Sequence, residues 1–137
     1  MSSIKQISIK FHCNDLGGKV WNPALRWTKK FAVFVELTDE AGRVGLGECW
    51  CFDSSPDALV AFLKTEVAPH FLGQPLDNAA SIIEERIRFA TLSARHGMLA
   101  SALSGFDIAI WDLRAQHQGL PLWKLLRKEM VDRGSIK

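Results

Sequence analysis

The sequence predicts an α+β fold, in which a three-stranded antiparallel meander is followed by a bundle of three main helices. Over the first 50 residues, apolar side chains alternate with polar ones, a period of two that is typical of strands with one buried face. After residue 55 the apolar side chains recur at the spacing of an amphipathic helix. Because strands and helices occupy separate parts of the chain, we expect the helices to pack on one face of the sheet.

The predicted strands are short and follow one another closely. Ile7–Cys13 and Phe31–Leu37 each place apolar residues at odd-numbered positions. A turn containing an aspartate and a glycine follows the second strand, and Val44–Trp50 then returns as the third. Gly45 and Gly47 lie on the same face of this strand, which lets a helix or a loop approach its backbone closely.

The segment Asn14–Trp27, between the first two strands, is predicted to be a long loop. It contains two glycines, a proline and two tryptophans. A connection of this length without secondary structure is usually functional or disordered. Trp21 and Trp27 are therefore candidate binding residues, and the alternative is that both fold back onto the sheet.

The first two helices are predicted from their caps and breakers. Ser55 is expected to be the N-cap of the first helix, with Pro56 at its first position and Pro69 at its end. Asp77 is expected to cap the second helix. The inward positions of these two helices are Leu59, Phe62, Leu63 and Val67 in the first, and Ile82, Ile83, Ile87 and Ala90 in the second.

The third helix, from about Gly97 to Gln118, is apolar but carries two carboxylates, Asp107 and Asp112. Gly119 is expected to end it in the left-handed conformation. Residues five positions apart on a helix point about 140° apart, so the two carboxylates cannot bind one metal ion together. A structural role is favoured, in which one aspartate pairs with Arg114 or with a backbone donor.

Composition limits the possible partners and the compartment. With 137 residues, 47% of them hydrophobic, the chain fits one domain with a real core. The net charge of +2 comes from acidic and basic residues spread along the chain, so we expect no nucleic-acid partner and no membrane partner. No apolar stretch approaches the roughly 20 residues that span a bilayer, and the N-terminus lacks a signal-peptide core. We therefore expect a cytoplasmic protein.

The cysteines and histidines, which often form metal or catalytic sites in proteins, are scattered along this sequence. Cys13, Cys49 and Cys51 are expected to be reduced thiols; a zinc site completed by a histidine is conceivable, but C-x-C without a second spaced pair is a weak signal. No phosphate-binding, dinucleotide-binding or hydrolase motif occurs. No residue of this chain is therefore assigned as catalytic or as a metal ligand. The histidines lie in four different predicted elements, at His12, His70, His96 and His117.

Three motifs nevertheless occur in a recognisable order. GRVGLGEC comes after the hairpin turn, FLGQPLD joins the first two helices, and ALSGFDIAIWDLRAQHQGLPLWKLL spans the third helix and the segment after it. From Ile4 to Leu126 the chain resembles the N-terminal capping domain of the mandelate racemase and muconate lactonizing enzyme branch of the enolase superfamily. The most specific part of the resemblance is carried by Ala102, Asp107, Ala109, Trp111, Asp112 and Leu113, with Gly119, Pro121, Leu125 and Leu126 after them.

The resemblance implies that residues 1–126 form a capping domain and that residues 127–137 are a tail where a (β/α)8 barrel would begin. In such enzymes, racemases and acid-sugar dehydratases among them, the barrel holds Mg²⁺ and the bases that remove a proton next to the substrate carboxylate. A barrel requires on the order of 200 further residues. We therefore expect this chain alone to hold no cofactor, to be inactive, and to bind a carboxylate substrate only if a missing or separate barrel is present.

The resemblance also implies two segments that select the substrate, Asn14–Trp27 and Trp50–Pro56, with a slight preference for sugar acids because the first segment is polar. Two alternatives stay open. The chain is either a self-associating interaction module, with a homo-oligomer formed by the face that a barrel would cover, or a free-standing small-molecule binding domain. The candidate specificity residues are Asn14, Lys19, Trp21, Asn22, Trp27, Trp50 and Phe52.

Overall fold

The predicted α+β fold is confirmed by a computed structural model, which describes residues 2–51, 56–90, 97–132 and 134. Its antiparallel sheet has the strand order β1-β2-β3, and the long helix α4 packs on β2 and β3. The elements are β1 (Ile4–Trp21), β2 (Arg26–Asp39), β3 (Val44–Cys49), α1 (Pro56–Phe62), a π-helical turn (Leu63–Val67), α2 (Ala68–Phe71), a 3-10 turn (Leu76–Asn78), α3 (Ala79–Phe89), α4 (Met98–His117) and α5 (Leu122–Asp132).

The prediction of a long loop at Asn14–Trp27 is wrong, because most of this segment belongs to the β1–β2 hairpin. The two strands pair as far as Asp15, lose register over residues 16–19, and pair again before the turn at residues 22–25. Gly17 and Gly18 both have a positive φ, and the Asp15 carboxylate accepts a hydrogen bond of 2.8 Å from the Gly17 N–H. These two features let β1 bulge and then resume as a strand.

The core lies between the sheet and α4. The odd-numbered face of β2 is confirmed as the buried one, since Val33, Val35 and Leu37 are fully inaccessible to solvent. From the helical side, Phe106 of α4 is also fully buried and stacks on Phe71 of α2, with ring centroids 4.5 Å apart. Such a pair contributes about 1 kcal/mol beyond the burial of its apolar area.

Helix α4 lies unusually close to β3, as the two strand glycines predict. A Cβ atom at Gly47 would collide with the carbonyl oxygen of Gly105, and one at Gly45 would collide with that of Ala109. The helix carries its own glycine at the crossing, because a Cβ at Gly105 would collide with Sγ of Cys49. Helix and strand are therefore in backbone contact, which only residues without side chains permit.

Polar side chains of α4 bind the free edge of β3. Backbone groups of alternate β3 residues point away from β2, and side chains of α4 bind two of them. The Asp112 carboxylate accepts a hydrogen bond of 3.0 Å from the Leu46 N–H, and Gln116 Nε2 donates one of 2.7 Å to the Val44 carbonyl. Ser101 Oγ donates to the carbonyl of Trp50, just beyond the strand. The expectation that one aspartate pairs with a backbone donor is thus confirmed for Asp112.

The first predicted helix extends further than expected. The π-helical turn and α2 continue α1 as far as Phe71, so the predicted end at Pro69 is wrong. Pro69 lies in the first turn of α2, directly after the π-helical turn, so the helix continues past this proline instead of ending at it. The predicted cap Ser55 lies outside the described residues. The predicted inward positions of this helix and of α3 belong to the core or pack against it.

The predicted ends of the later helices differ in how well they agree with the structure. Asp77 does not cap α3; it lies in the 3-10 turn before the helix, and Asn78 occupies the N-cap position without a side-chain hydrogen bond. The end of α4 is as predicted, since Gly119 has φ of 63° and its N–H bonds to the Gln116 carbonyl. Helix α5 is an additional helix that crosses residue 126, while the domain boundary placed there stays a prediction.

No helix in the described part of the chain is long and apolar enough to cross a membrane.

We predict that Asp112→Ala lowers the free energy of unfolding by about 1 to 2 kcal/mol, because the Leu46 N–H loses a charged acceptor. Urea denaturation followed by circular dichroism measures this loss. Asp107→Ala, on the exposed side of the same helix, is the control and is expected to cost less. An equal loss in the two variants would contradict the proposed role of Asp112 at the strand edge.

Candidate functional site

The main concave feature near the predicted specificity segments is a groove of about 280 Å³. It lies between the outer half of the β1–β2 hairpin and the residues just after β3. Its walls are mostly apolar and aromatic, with lysine atoms among them. Those walls are formed by Leu16, Val20, Trp27, Lys29, Phe31 and Trp50, with Lys30 and Cys51 beside them.

The groove continues the inner face of the sheet beyond the helical layer. Side chains alternate along β2, so Trp27, Lys29 and Phe31 share a face with the buried residue Val33. At Val33 this face is covered by helices, whereas at Trp27 it is partly open. Trp50 comes directly after the end of β3 and closes the groove from the other side. The hairpin and the end of β3 together therefore build a half-open aromatic site.

The structure brings two of the predicted specificity residues together, Trp27 and Trp50. The other described candidates lie elsewhere on the hairpin. Trp21 is 65% exposed near its tip, so it does not fold back onto the sheet. Asn22 has a turn-forming contact, because its Oδ1 accepts hydrogen bonds from the N–H groups of Ala24 and Leu25.

Asn14 and Lys19 are exposed; Asn14 pairs with Lys30 in the β-ladder, and Lys19 lies in the bulged part of β1. Phe52 lies outside the described residues. Whether any of these seven candidates contacts a substrate stays a prediction.

Sequence reasoning missed Lys29 and Phe31 as groove residues. The segment up to Trp27 was treated as a loop, which hid the fact that Trp27, Lys29 and Phe31 share one face of β2. The same alternation that identified Val33 and Val35 as core, extended toward the N-terminus, would have found them. Leu16 and Val20 fall within the predicted specificity segment but were not singled out.

The electrostatics of the groove are set by lysines. Neither Lys29 nor Lys30 forms an ion pair with any described residue. Cys51, beside the groove, is half-buried, and burial raises the pKa of its thiol. At neutral pH this thiol is therefore protonated and a poor nucleophile.

The other two cysteines offer no metal site. Cys49 is fully buried, and burial raises the pKa of its thiol to about 12, while Cys13 is exposed on β1. No disulfide joins the three cysteines. Among the described residues, no group of three His, Cys, Asp or Glu side chains could hold a metal ion.

Outside the groove, a polar cluster joins Asp39, Arg43 and His117. His117 Nε2 lies 2.8 Å from Asp39 Oδ2, and its Nδ1 lies 3.4 Å from Arg43 Nη1. Both ring nitrogens are thus engaged, so this histidine has none left for a substrate proton. The cluster ties the end of α4 to the β2–β3 turn, where Asp39 Oδ1 also accepts a hydrogen bond of 2.8 Å from the Arg43 N–H.

Asp107 belongs neither to the groove nor to the cluster of Asp39, Arg43 and His117. The residue is exposed overall, but partial desolvation of its carboxyl raises the pKa, while a hydrogen bond with Trp111 and the charge of Arg114 act in the opposite direction. Arg114 itself pairs with Glu129 of α5 at 3.0 Å and stacks on Trp111, 4.3 Å from the ring centroid. The two aspartates of the long helix are therefore separate structural groups, as expected from their spacing.

Comparison with known proteins agrees with this architecture. The family model of the mandelate racemase/muconate lactonizing enzyme N-terminal domain matches residues 25–127. The chain belongs to this family. The matched region runs from the tip of the β1–β2 hairpin into α5, so it includes Trp27 and Trp50 of the groove.

Individual members of the mandelate racemase/muconate lactonizing enzyme family are similar over most of this chain. The L-talarate/galactarate dehydratase of Salmonella typhimurium is 30% identical over 72% of this chain and 25% of its own length. The D-gluconate dehydratase of Thermoproteus tenax is 31% identical over 81% of this chain and 22% of its own length. The chain thus spans about a quarter of the length of these curated relatives.

A solved structure supports the fold. The crystal structure of a racemase from Streptomyces coelicolor A3(2) with bound magnesium superposes with a TM-score of 0.74 at 20% identity. The match covers 82% of this chain and 32% of that one.

The pH dependence of stability should report on Asp39. Burial would raise the pKa of this carboxyl, but hydrogen bonds from Arg43 and His117 outweigh it and hold the pKa below its ordinary value near 4. Its contribution to stability is therefore present above about pH 4 and is lost as the pH falls through the folded-state pKa. Asp39→Asn should be less stable at pH 7 and should lose less stability on acidification.

Urea unfolding at a series of pH values from 7 to 3 measures both effects. Glu40→Gln removes an exposed neighbouring carboxylate and is the charge-matched control. If Asp39→Asn and the unchanged chain lost stability in parallel over this range, the ionised Asp39 contact would not be the cause.

Proposed function

We propose that this chain is the substrate-selecting cap of an enzyme that removes a proton next to the carboxylate of a sugar acid, in a racemase or dehydratase reaction. The observation that carries the proposal is the meeting of Trp27 and Trp50 in one groove. These residues come from two separate segments of the family domain, and both were candidates for substrate selection. A half-open groove of this kind needs an opposing surface to enclose a ligand.

In the proposed enzyme, that opposing surface is the mouth of a barrel domain, which holds the catalytic groups. Bound Mg²⁺ would stabilise the enediolate formed when the proton leaves. The cap residues bind and orient the part of the substrate remote from the reacting carbon, and they exclude water from it. We further propose that this chain by itself is catalytically silent, because the barrel of the proposed enzyme supplies the catalytic groups.

Sugar acids are the favoured substrate class for two reasons. Two relatives with about 30% identity are named dehydratases of talarate, galactarate or gluconate. The groove also combines aromatic faces, which suit the C–H faces of a sugar chain, with lysine atoms that suit its polar groups. We also propose a cytoplasmic location, which the three free cysteines support, since thiols stay reduced in that compartment.

The resemblance implies full substrate binding only with a barrel, but the aromatic groove formed by this chain should retain weak binding of the remote end of a sugar acid. We therefore expect sugar acids at high concentration to change the tryptophan fluorescence of the purified chain. Trp27→Phe and Trp50→Phe should each reduce the response, because these side chains line the groove, whereas Trp123→Phe on α5 should leave it intact. A response that persists in the Trp27→Phe, Trp50→Phe double variant, or no response to any sugar acid, would refute the groove as the binding surface. With Mg²⁺ present, the chain alone should incorporate no deuterium at the α-carbon; incorporation would refute catalytic silence.

A second candidate function is self-association through α5. Trp123, Leu126 and Met130 lie three and four positions apart and are 61%, 38% and 46% exposed, so they form an apolar stripe on one side of this helix. The opposite side packs on α4 through the fully buried Leu125. An uncovered stripe of this kind favours association with a second copy when no other domain covers it.

Sedimentation velocity tests self-association directly. We expect a concentration-dependent dimer at micromolar concentrations and its loss in Trp123→Ser, Met130→Ser. The matched control is Val44→Ser, which removes an exposed apolar side chain from β3 instead. A monomer at high micromolar concentration, or a dimer that survives the α5 changes, would exclude this interface.

A further inference from the structure

A cation that pairs with no described residue lies among the aromatic residues of the groove. Lys29 is placed between Trp27 and Phe31 on the same face of β2, and all three line the groove. Its cross-strand neighbour in the register is Asp15, which would be the natural ion-pair partner. The Asp15 carboxylate instead accepts a hydrogen bond of 2.8 Å from the Gly17 N–H, and the side chain of Lys29 forms no ion pair or hydrogen bond with any described residue.

The charged residues among the described lining of the groove are all lysines, and Asp15, opposite Lys29 on β1, is not part of that lining. The next residue, Lys30, contributes further atoms to the groove, and no Asp or Glu is among the described residues that line it. This contrasts with other lysines and arginines of the chain, such as Lys10, which pairs with Glu36 at 2.7 Å. An ammonium group at an apolar, half-open surface is less screened than one in bulk water, so it attracts anions more strongly.

We propose that Lys29 binds a second acidic group of the substrate, so that the enzyme prefers an open-chain sugar diacid to a monoacid. The inference rests on the proposed function, in which the reacting carboxylate is held by the barrel and the cap meets the opposite end of the substrate. An anion at that end is the group that the Lys29 ammonium would select. In a monoacid, the same position is a neutral hydroxyl, which gains less from the charge.

Titration of the purified chain with three probes tests the preference. Galactarate carries a carboxylate at each end, galactonate carries one, and 6-phosphogluconate carries a carboxylate and a phosphate. From tryptophan fluorescence we expect galactarate to bind about threefold to fivefold more tightly than galactonate, the size of a partly exposed ion pair. The ratio should fall as the salt concentration rises.

The Lys29→Gln variant should bring the two dissociation constants to within about a factor of 1.5 of each other, as expected when one such ion pair is removed. Lys5→Gln changes the net charge equally at an exposed site outside the groove lining, and it should keep the preference. Because Lys29 is exposed, its replacement should leave the circular dichroism spectrum and the melting temperature unchanged, which separates lost binding from lost folding.

The outcomes separate this inference from the proposed function. If no sugar acid binds, the proposed function fails and the inference fails with it. If galactarate and galactonate bind equally well to the unchanged chain, or if the preference survives in Lys29→Gln, only the diacid inference is overturned. Tighter binding of 6-phosphogluconate than of galactarate would assign the site to a phosphate and would also overturn it.

Discussion

The contact between α4 and β3 determines how the rest of this domain is built. Gly45 and Gly47 on the strand and Gly105 on the helix remove the side chains that normally keep a helix about 10 Å from a sheet. At this short distance, the side chains of Asp112 and Gln116 reach the strand backbone and satisfy its outer edge. Two side chains of the helix therefore occupy backbone groups at this edge, which hinders pairing of the edge with another chain.

The same contact positions the groove. Ser101 near the start of α4 holds the carbonyl of Trp50, the residue at which the chain leaves β3 and enters the groove wall. At the other end of the helix, His117 joins the buried Asp39 at the β2–β3 turn. Helix α4 is thus attached to β3 along its length and to the turn at its end. A rigid element supports one wall of the site, while the other wall is a hairpin that projects beyond the helical layer.

The sequence predicted those features of the fold and the site that depend on contacts within one helix or strand. Alternation found the buried face of β2, and helical spacing with Gly119 found α4 and its end, because these signals lie within one element. The segment Asn14–Trp27 was misread, since its glycines and proline indicate a loop when cross-strand pairing is ignored. The acceptor role of Asp112 involves a residue 66 positions away, which spacing alone cannot identify. Family resemblance supplied the two groove segments, but not Lys29.

The bulge at Gly17 and Gly18 has a consequence for how this domain can vary. Since strand side chains alternate with a period of two, adding one residue to a continuous hairpin would reverse every later side chain between its two faces. Here the four residues 16–19 lie outside the regular ladder. The alternation of side chains at the hairpin tip is therefore independent of the alternation in the sheet. A change in the length of the tip can therefore be absorbed at these residues without altering which side chains of the sheet face the core.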